Sequence, residues 1–350
     1  MILVLLVLGF VVSFAATFFA VPYFIRFFSG IELWATDAQK KDKRLVPLGG
    51  GIPVLIGFLL GLFCLVAIDT FVVGLGLDVK ILFAALISML LIALVGFFDD
   101  LNVRRERREI GSDAVDFKVG LRQWQKPLLT LFAALPLMVV GAGVSSMFLP
   151  FFGTIDVGLL YPLLLIPIAV VCVSNAANML AGLNGLEAGT SAVALLALGG
   201  YLAFLGRFEA AAIAFCVLAA LLAFLRYNWA PAKIFPGDSL TYFNGAAIVS
   251  VVVIGNIEKF GVIVFIPWII EAFLKLRGRF KVRSFGNLQA DGTLKEPYKK
   301  IYSLTHAVMR LPRWLGRPKG FTEKQVVAVL IGIEVLACVF AFALVLLNVI

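Results

Sequence analysis

The sequence has few charged residues: they make up 15% of its 350 residues, whereas hydrophobic residues make up 62%. Ordinary soluble domains carry about 25% charged residues, so the composition excludes that class. Histidine occurs once, as His306, and the four cysteines lie in apolar runs without a CxxC pair. The chain therefore lacks the clusters that hold zinc or iron, and we interpret its cysteines as small core residues.

The N-terminus also lacks the features of a secretory signal. Residues 1–20 form an apolar run with no basic segment before it and no convincing cleavage site after it. A removable signal peptide carries both. We therefore interpret this run as the first membrane-spanning helix.

Long apolar runs are what the sequence has in abundance. A helix needs about 20 apolar residues to cross a bilayer, and ten runs approach that length. Pro267 and Glu271 interrupt the ninth run, where we expect a bend. We predict an all-α polytopic membrane protein that forms one domain over residues 1–350. The ten predicted spans are 1–27, 47–69, 79–97, 127–147, 158–178, 190–206, 209–226, 241–256, 260–276 and 326–349.

The basic residues predict how the chain is oriented. Of the 30 lysines and arginines, 27 fall on one side of the predicted membrane, and three (Lys80, Arg207 and Lys259) fall on the other. The positive-inside rule makes the basic side cytoplasmic, so both termini are predicted to lie outside. This topology accounts for the net charge of +9 without a nucleic-acid partner.

A cluster of amides and glycines stands at the cytoplasmic end of the fifth predicted span. Residues 175–189 read Asn-Ala-Ala-Asn-Met-Leu-Ala-Gly-Leu-Asn-Gly-Leu-Glu-Ala-Gly. Polar amides at a membrane boundary are costly without partners, and glycines let the backbone approach a bound group closely. We therefore interpret this cluster as part of a functional site.

Three carboxylates occur on the same side. Asp99 and Asp100 end the third predicted span, and Asp238 precedes the eighth. Adjacent carboxylates repel unless a cation lies between them. On its own, such a pair would still be interpreted as a hydrated helix end, where charged residues are common. Together with Asn178 and Asn184, these oxygens favour a site for a hard cation, Mg²⁺ first and Mn²⁺ as the alternative.

The remaining cytoplasmic polar residues have two interpretations each. Lys126 is either an anchor that extends to the membrane interface or a phosphate ligand. The basic run Arg279, Lys281 and Arg283 either attracts anionic lipid or holds phosphate oxygens. His306 is on an amphipathic helix, where packing is favoured over a role as general base. With a hairpin around residues 289–293, this helix makes residues 277–324 a predicted cap over the site.

The motifs together resemble the polyprenyl-phosphate N-acetylhexosamine-1-phosphate transferases. Within that superfamily the run 181–189, Ala-Gly-Leu-Asn-Gly-Leu-Glu-Ala-Gly, is most similar to the dolichyl-phosphate GlcNAc-1-phosphotransferases of archaea and eukaryotes. The peptidoglycan enzymes have aspartates where this chain has Ala181 and Asn184, and they have histidines where residues 277–297 have none. These departures argue against a muramyl-pentapeptide substrate.

The resemblance implies transfer of GlcNAc-1-phosphate from UDP-GlcNAc to a polyprenyl or dolichyl phosphate, with release of UMP, as the first step of lipid-linked oligosaccharide assembly for N-glycosylation. It implies that Mg²⁺ is held by Asn178 and Asp238. The residues that it places around the substrates are Asn184 at the uracil, Gly182 and Glu187 in the same turn, Lys126 at the pyrophosphate, Arg283 with Lys281 or Arg279 at the phosphates and sugar, and Asp99 and Asp100 in the catalytic site.

Several alternatives stay open at this stage. A secondary transporter would use Asp99, Asp100 and Asp238 as an ion relay, and another UDP-N-acetylhexosamine could replace UDP-GlcNAc as donor. Direct attack by the lipid phosphate is favoured over a covalent aspartyl intermediate. Short loops favour an archaeal plasma membrane over the endoplasmic reticulum, and the resemblance is compatible with a homodimer.

Overall fold

Helices dominate the computed structural model, which describes residues 1–101, 104–110, 113–149 and 153–349. Within these ranges the chain forms thirteen α-helices and four two-stranded antiparallel sheets. The helices are α1 (Ile2–Gly30), α2 (Gly51–Ile68), α3 (Val79–Leu101), α4 (Gln125–Phe132), α5 (Leu135–Val139), α6 (Ile166–Met179), α7 (Leu186–Phe204), α8 (Phe208–Asn228), α9 (Gly237–Gly255), α10 (Glu258–Val264), α11 (Ile266–Arg277), α12 (Leu304–Trp314) and α13 (Glu323–Leu346).

The sheets are small hairpins in the connections between helices. Because each sheet has only two strands, none forms a layer of the core. The strand pairs are β1 (Trp34–Thr36) with β2 (Leu45–Pro47), β3 (Arg104–Ile110) with β4 (Asp113–Val119), β5 (Ser146–Leu149) with β6 (Gly153–Asp156), and β7 (Asn287–Leu288) with β8 (Leu294–Lys295).

Eight helices in the described ranges are long and apolar enough to cross a membrane, which confirms the prediction of an all-α polytopic membrane protein. The fourth and ninth predicted spans are each divided into two helices, α4 with α5 and α10 with α11. Pro136 and Pro267 stand at the beginning of α5 and α11, because proline lacks the N–H that would continue the preceding helix. The bend expected at Pro267 is confirmed, whereas the fourth helical segment ends at Val139 instead of residue 147.

The beginning of α1 and the end of α13 lie at one end of the bundle, opposite the predicted site. Asp37, just after α1, contacts Asn184, and Glu323, at the beginning of α13, contacts the same residue. Because α1 has 29 residues, it extends about 43 Å from this point at 1.5 Å per residue. The beginning of α1 and the end of α13 therefore lie at the far end, on the side where the charge distribution predicts both termini.

Small residues let α1 and α2 pack with their backbones close together. A Cβ built on Gly57 would overlap the Thr17 hydroxyl and lie 2.8 Å from the carbonyl oxygen of Ser13. A Cβ on Gly61 would lie 2.6 Å from the carbonyl oxygen of Gly9. In a bilayer such close packing holds helices together, since lipid tails are as apolar as the side chains.

Changing Gly57 to alanine should therefore destabilise the bundle by about 1–3 kcal/mol, because the added methyl group pushes α1 away from α2. Gly332 in α13 is a matched control, since nothing lies within 4 Å of the position that an added methyl group would take. Gly332→Ala should leave stability unchanged or raise it by about 0.5–1 kcal/mol. Thermal unfolding of both variants in detergent measures the difference, and equal melting temperatures would contradict the packing argument.

Residues 277–324 fold into the hairpin and amphipathic helix that the sequence predicts. Asp291 accepts hydrogen bonds from the backbone N–H and hydroxyl of Thr293 at 3.0 and 2.7 Å, which forms the turn between β7 and β8. Glu271 of α11 accepts from the Ser303 hydroxyl at 2.8 Å and from the N–H of Leu304 at 2.6 Å. The beginning of α12 is therefore tied to the last helical segment before it.

His306 is fully buried in this region, with 0% of its surface exposed. Its ring centroid lies 5.5 Å from that of Tyr298, which agrees with a packing role. Burial, helped by the Lys275 ammonium and opposed by Glu296, lowers the pKa of His306 to about 4. The folded segment therefore holds a neutral ring down to a pH at which an unfolded histidine is already charged.

The stability of this segment should fall as the pH decreases from about 6.5 to 4, because His306 binds a proton in the unfolded form and stays neutral in the folded form. A protease should cleave residues 277–324 several-fold faster at pH 5 than at pH 7. A denatured control chain corrects this rate for the pH dependence of the protease itself. His306→Phe should reduce this acceleration. An identical pH response in the variant would show that His306 does not carry the effect.

Candidate active site

A cavity of about 420 Å³ opens at the end of the bundle where the predicted site residues meet. Its wall combines residues from parts of the chain that are distant in sequence. They are residues 35–39 and Leu48, Asp100 of α3, Lys126 of α4, Asn178 of α6, the turn 181–184 with Glu187, residues 235–238 with Thr241, and Phe285.

Lys126 joins two carboxylates from different helices. Its Nζ lies 2.8 Å from Oδ2 of Asp99 and 2.9 Å from Oδ2 of Asp238. The second oxygen of Asp99 accepts the N–H of Leu121, so both oxygens of this carboxylate are bound. An ammonium between two carboxylates offsets their mutual repulsion at the membrane boundary. Of the two interpretations of Lys126, the structure favours a residue of the site.

Asp100 holds the first turn of α9. Its two carboxylate oxygens accept the backbone N–H groups of Asp238 at 2.8 Å and Ser239 at 3.1 Å, which leaves the carboxylate at the positive end of the helix dipole. Gly237 has a φ of +72°, and a Cβ there would overlap the Asp100 carboxylate. Asp100 thus positions Asp238, a contact that the sequence did not predict.

Asn178 faces the same turn from the end of α6. Oδ1 of Asn178 accepts the Thr241 hydroxyl at 2.7 Å, and its amide nitrogen lies 3.4 Å from Oδ2 of Asp238. No group of three or more His, Cys, Asp and Glu side chains suited to a metal occurs in the described residues. With the Asn178 amide turned over, its oxygen would lie beside Asp238. A donor set of one carboxylate and one amide oxygen fits Mg²⁺, which takes few protein ligands and completes its octahedron with water and phosphate.

The glycine-rich turn is held by hydrogen bonds from three directions. The N–H of Gly182 donates to Oε1 of Glu187 at 2.6 Å, so this buried carboxylate supports the turn from within. The Asn184 amide donates to Oδ2 of Asp37 at 3.0 Å, and its backbone N–H donates to Oε1 of Glu323 at 2.9 Å. Gly182 has a φ of +111°, which a residue with a side chain rarely adopts.

Two of these partners, Asp37 and Glu323, were not among the predicted site residues. The sequence indicates the first of them only through the run Asp37-Ala-Gln-Lys40, which resembles the Asp-Leu-Asn-Lys of the polyprenyl-phosphate transferases in the first cytoplasmic loop. Glu323 is in the first turn of α13, where acidic residues are common for local reasons, so it gave no signal. It also pairs with Lys40, which joins the loop after α1 to the beginning of the last helix.

The basic run is placed differently from the other predicted residues. Arg279, Lys281 and Arg283 are exposed and are not among the residues that line the cavity. Lys275 anchors the segment, since its Nζ donates to the Ser284 hydroxyl at 2.6 Å, and Phe285 reaches the cavity wall. The structure thus places this segment at the rim of the cavity, but the three cationic side chains do not line the cavity wall.

A second cavity, of about 640 Å³, begins beside the polar one. Pro127, the residue after Lys126, lines it, as do Asn175 and Met179 on either side of Asn178 in α6. From there it extends along α9, α10 and α11 between side chains that are almost all apolar. Those of α10 and α11 and the residues after them are Glu258, Gly261, Val262, Phe265, Ile269, Ala272, Phe273, Leu276 and Phe280.

Comparison with known proteins identifies the family. Residues 82–256 match the profile of glycosyl transferase family 4, and a Saccharolobus solfataricus relative is 35% identical over 345 residues, which cover 97% of this chain and 96% of the relative. The chain belongs to glycosyl transferase family 4. The resemblance predicted from the motifs is therefore confirmed.

The relatives carry related names. The Saccharolobus protein and one from Sulfolobus acidocaldarius are both provisionally named UDP-N-acetylglucosamine–dolichyl-phosphate N-acetylglucosaminephosphotransferase. The second is 31% identical and covers 96% of this chain and 95% of its own. A Dictyostelium discoideum protein with the same enzyme name is 26% identical over 69% of this chain and 63% of its own length.

The family match extends from α3 to α9 and contains most of the polar contacts described above. Asp99, Asp100, Lys126, Asn178 and Asp238 all fall within residues 82–256. The loop before α2 and the beginning of α13, which hold Asn184 from outside, fall beyond it. In this family 4 chain, the site is therefore completed by segments near both termini.

Replacing Gly237 by alanine should disable the site, because the methyl group displaces the Asp100 carboxylate and with it the turn that carries Asp238. Gly206 is a matched control, since it has the same φ of +72° and no neighbour within 4 Å. Both variants bear the strain of the left-handed conformation, about 1–2 kcal/mol. Gly237→Ala should lose at least 100-fold in transferase rate while Gly206→Ala keeps most of it, and equal losses would refute the role of the close contact.

Proposed function

We propose that this chain transfers GlcNAc-1-phosphate from UDP-GlcNAc to a polyprenyl phosphate of the dolichyl type and releases UMP. The observation that carries the proposal is the position of an apolar cavity next to a polar one, since the neighbouring residues Lys126 and Pro127 line one each. A lipid phosphate has the same two parts, a charged head and a long apolar chain. The names of the archaeal relatives support the same reaction.

The apolar cavity is suited to the isoprenoid chain of the acceptor. On α6, Asn175 and Met179 line the apolar cavity while Asn178 lines the polar one. A chain in the apolar cavity would therefore present its phosphate next to Asn178 and the Lys126 ammonium. Burial of the isoprenoid units supplies affinity of about 0.8 kcal/mol per CH₂ group, which does not depend on the reacting groups.

The polar cavity is suited to the nucleotide donor. On one wall, the backbone of Gly182 and the side-chain amide of Asn184 lie beside Asp37, and Phe235 offers an aromatic face. Lys126 lies on the wall that also carries the carboxylates. We place the uridine at the glycine-rich turn and the diphosphate near Lys126, and we assign Arg279, Lys281 and Arg283 near the rim to the phosphates and sugar.

Asn178 and Asp238 would hold Mg²⁺, with Mn²⁺ as the alternative ion. Bound there, the ion would neutralise diphosphate oxygens, which is the main requirement of phosphoryl transfer. Asp100 contributes by holding the α9 turn, so that the Asp238 side chain is fixed before substrate arrives. Such preorganisation lowers the reorganisation needed in the transition state.

We propose direct attack for the chemical step. An oxygen of the lipid phosphate attacks the β-phosphorus, the bond from that phosphorus to the bridging oxygen breaks, and UMP leaves with the electron pair. Lys126 would neutralise phosphate charge during the transfer. Both oxygens of Asp99 and both of Asp100 are already bound by Lys126 or backbone N–H groups, which argues against either as a nucleophile.

The transporter alternative finds no support. Its proposed relay needs carboxylates near the membrane centre, whereas Asp99, Asp100 and Asp238 all lie at helix ends on the same side of the bundle. The Saccharolobus and Sulfolobus relatives are archaeal. We therefore propose an archaeal plasma membrane, with the site facing the cytoplasm, as the location of the first step of lipid-linked oligosaccharide assembly.

Purified protein given UDP-GlcNAc, polyprenyl phosphate and Mg²⁺ should release UMP in step with formation of the lipid-linked sugar. Chelation with EDTA should stop the reaction, and added Mg²⁺ should restore it. Asp238→Asn should lower the rate at least 100-fold, since it weakens both the ion site and the Lys126 contact.

Asp156→Asn is the matched control, because this exposed carboxylate is in β6 at the far end of the bundle; it should keep the wild-type rate. Absence of UMP release from folded wild-type protein, or a wild-type rate in Asp238→Asn, would refute the proposal. Equal use of UDP-GalNAc would refute only the assignment of the donor sugar.

A further inference from the structure

The side chain of Gln39 is buried without hydrogen-bond partners. It is 4% exposed, and neither its amide nitrogen nor its amide oxygen has a partner among the described residues. The same side chain lines the polar cavity. A buried amide without partners is costly, and native structures keep few of them. A bound group that supplies both partners would account for this one.

The loop around Gln39 is fixed on both sides of it. Asp37 accepts the Asn184 amide at 3.0 Å and also the backbone N–H of Gln39 at 3.3 Å. Lys40 pairs with Glu323, which in turn accepts the backbone N–H of Asn184. Gln39 is therefore held between two anchors on the glycine-rich turn, and little side-chain freedom remains to be lost when a ligand binds.

The anchors also determine which part of the cavity Gln39 faces. They connect it to the turn at Asn184, whereas Lys126, Asp238 and Asn178 belong to helices α4, α9 and α6. Within the proposed function, the turn is the nucleoside end of the cavity and the helices form the phosphate end. A group recognised by Gln39 therefore belongs to the nucleoside.

We propose that Gln39 recognises the uracil ring, a specificity role that rests on the proposed function. A carboxamide presents one acceptor and one donor side by side, and the uracil edge offers N3–H next to a carbonyl oxygen. The pair is formed at N3–H and O2, where cytosine has two acceptors and would leave the Gln39 oxygen unpaired. The discrimination requires this edge, because a carboxamide turned by 180° would pair with N3 and the N4 amino group of cytosine. Phosphates offer acceptors alone, and the N–H and C=O of a sugar acetamido group point in opposite directions.

Removing the Gln39 amide should therefore weaken the binding of uridine nucleotides selectively. Gln39→Leu and the unbranched Gln39→Met should raise the Kd of UMP about 10- to 100-fold, the range for loss of a paired hydrogen-bond contact to a base. The Kd of CMP should change less than about 3-fold, since CMP does not pair with both amide atoms. The KM of UDP-GlcNAc should rise with the Kd of UMP while kcat stays within a few-fold, because the phosphate groups contact other residues.

The ligand-free protein supplies an independent measurement. Replacing an unpartnered buried amide by an apolar side chain of similar size should leave the melting temperature unchanged or raise it. Gln289→Leu is the matched control, since its amide donates to the backbone of Asn287 in the hairpin and does not line the cavity. That variant should keep the wild-type preference for UMP over CMP.

Comparison of UMP with 2′-deoxy-UMP separates the base from the ribose. If Gln39→Leu keeps the preference for UMP over CMP, or loses the preference for UMP over 2′-deoxy-UMP instead, recognition of the base is refuted. A lower melting temperature of ligand-free Gln39→Leu would refute it as well, because the amide would then have a structural partner. Wild-type protein that releases no UMP and binds none would refute the proposed function together with this inference.

Discussion

The contact of Lys126 with Asp99 and Asp238 is the constraint on which the site depends. Three helices bring charged groups to the boundary of an apolar bundle, where an unpaired charge is expensive. One ammonium between two carboxylates offsets that cost. It also fixes α3, α4 and α9 relative to one another. Asp100 adds a second link between α3 and α9 through the backbone of the first turn, so that Asp238 is held by its side chain and by its main chain.

The polar and apolar cavities lie next to each other where α4 begins and α6 ends. The ninth predicted span is divided at Phe265 into α10 and α11. Their side chains then line one side of the apolar cavity and α6 lines another. At the boundary, Asn178 of α6 lines the polar cavity, whereas Asn175 and Met179 of the same helix line the apolar one. A substrate with a charged head and an apolar chain matches this change in lining.

Much of the fold and part of the site could be predicted from the sequence. Apolar runs are local signals, so eight spans and the bend at Pro267 were found, and the glycine-rich turn with Asp238 identified the family. The partners of Asn184 could not be predicted, since Asp37 and Glu323 are separated from it by 147 and 139 residues. Gln39 gave no signal beyond its place in the run Asp37-Ala-Gln-Lys40, because an amide in a polar loop is ordinary until burial leaves it unpartnered.

By itself the sequence determined the class of protein, its approximate topology and the end of the bundle that carries the polar residues. These follow from hydropathy, from the distribution of lysine and arginine, and from residue types that are costly in lipid. Only the tertiary structure decided which polar groups pair with each other, which ones line the cavity and which, such as Glu187, also support the backbone of the wall. Pairing depends on distances between segments far apart in the chain, and no local pattern records those distances.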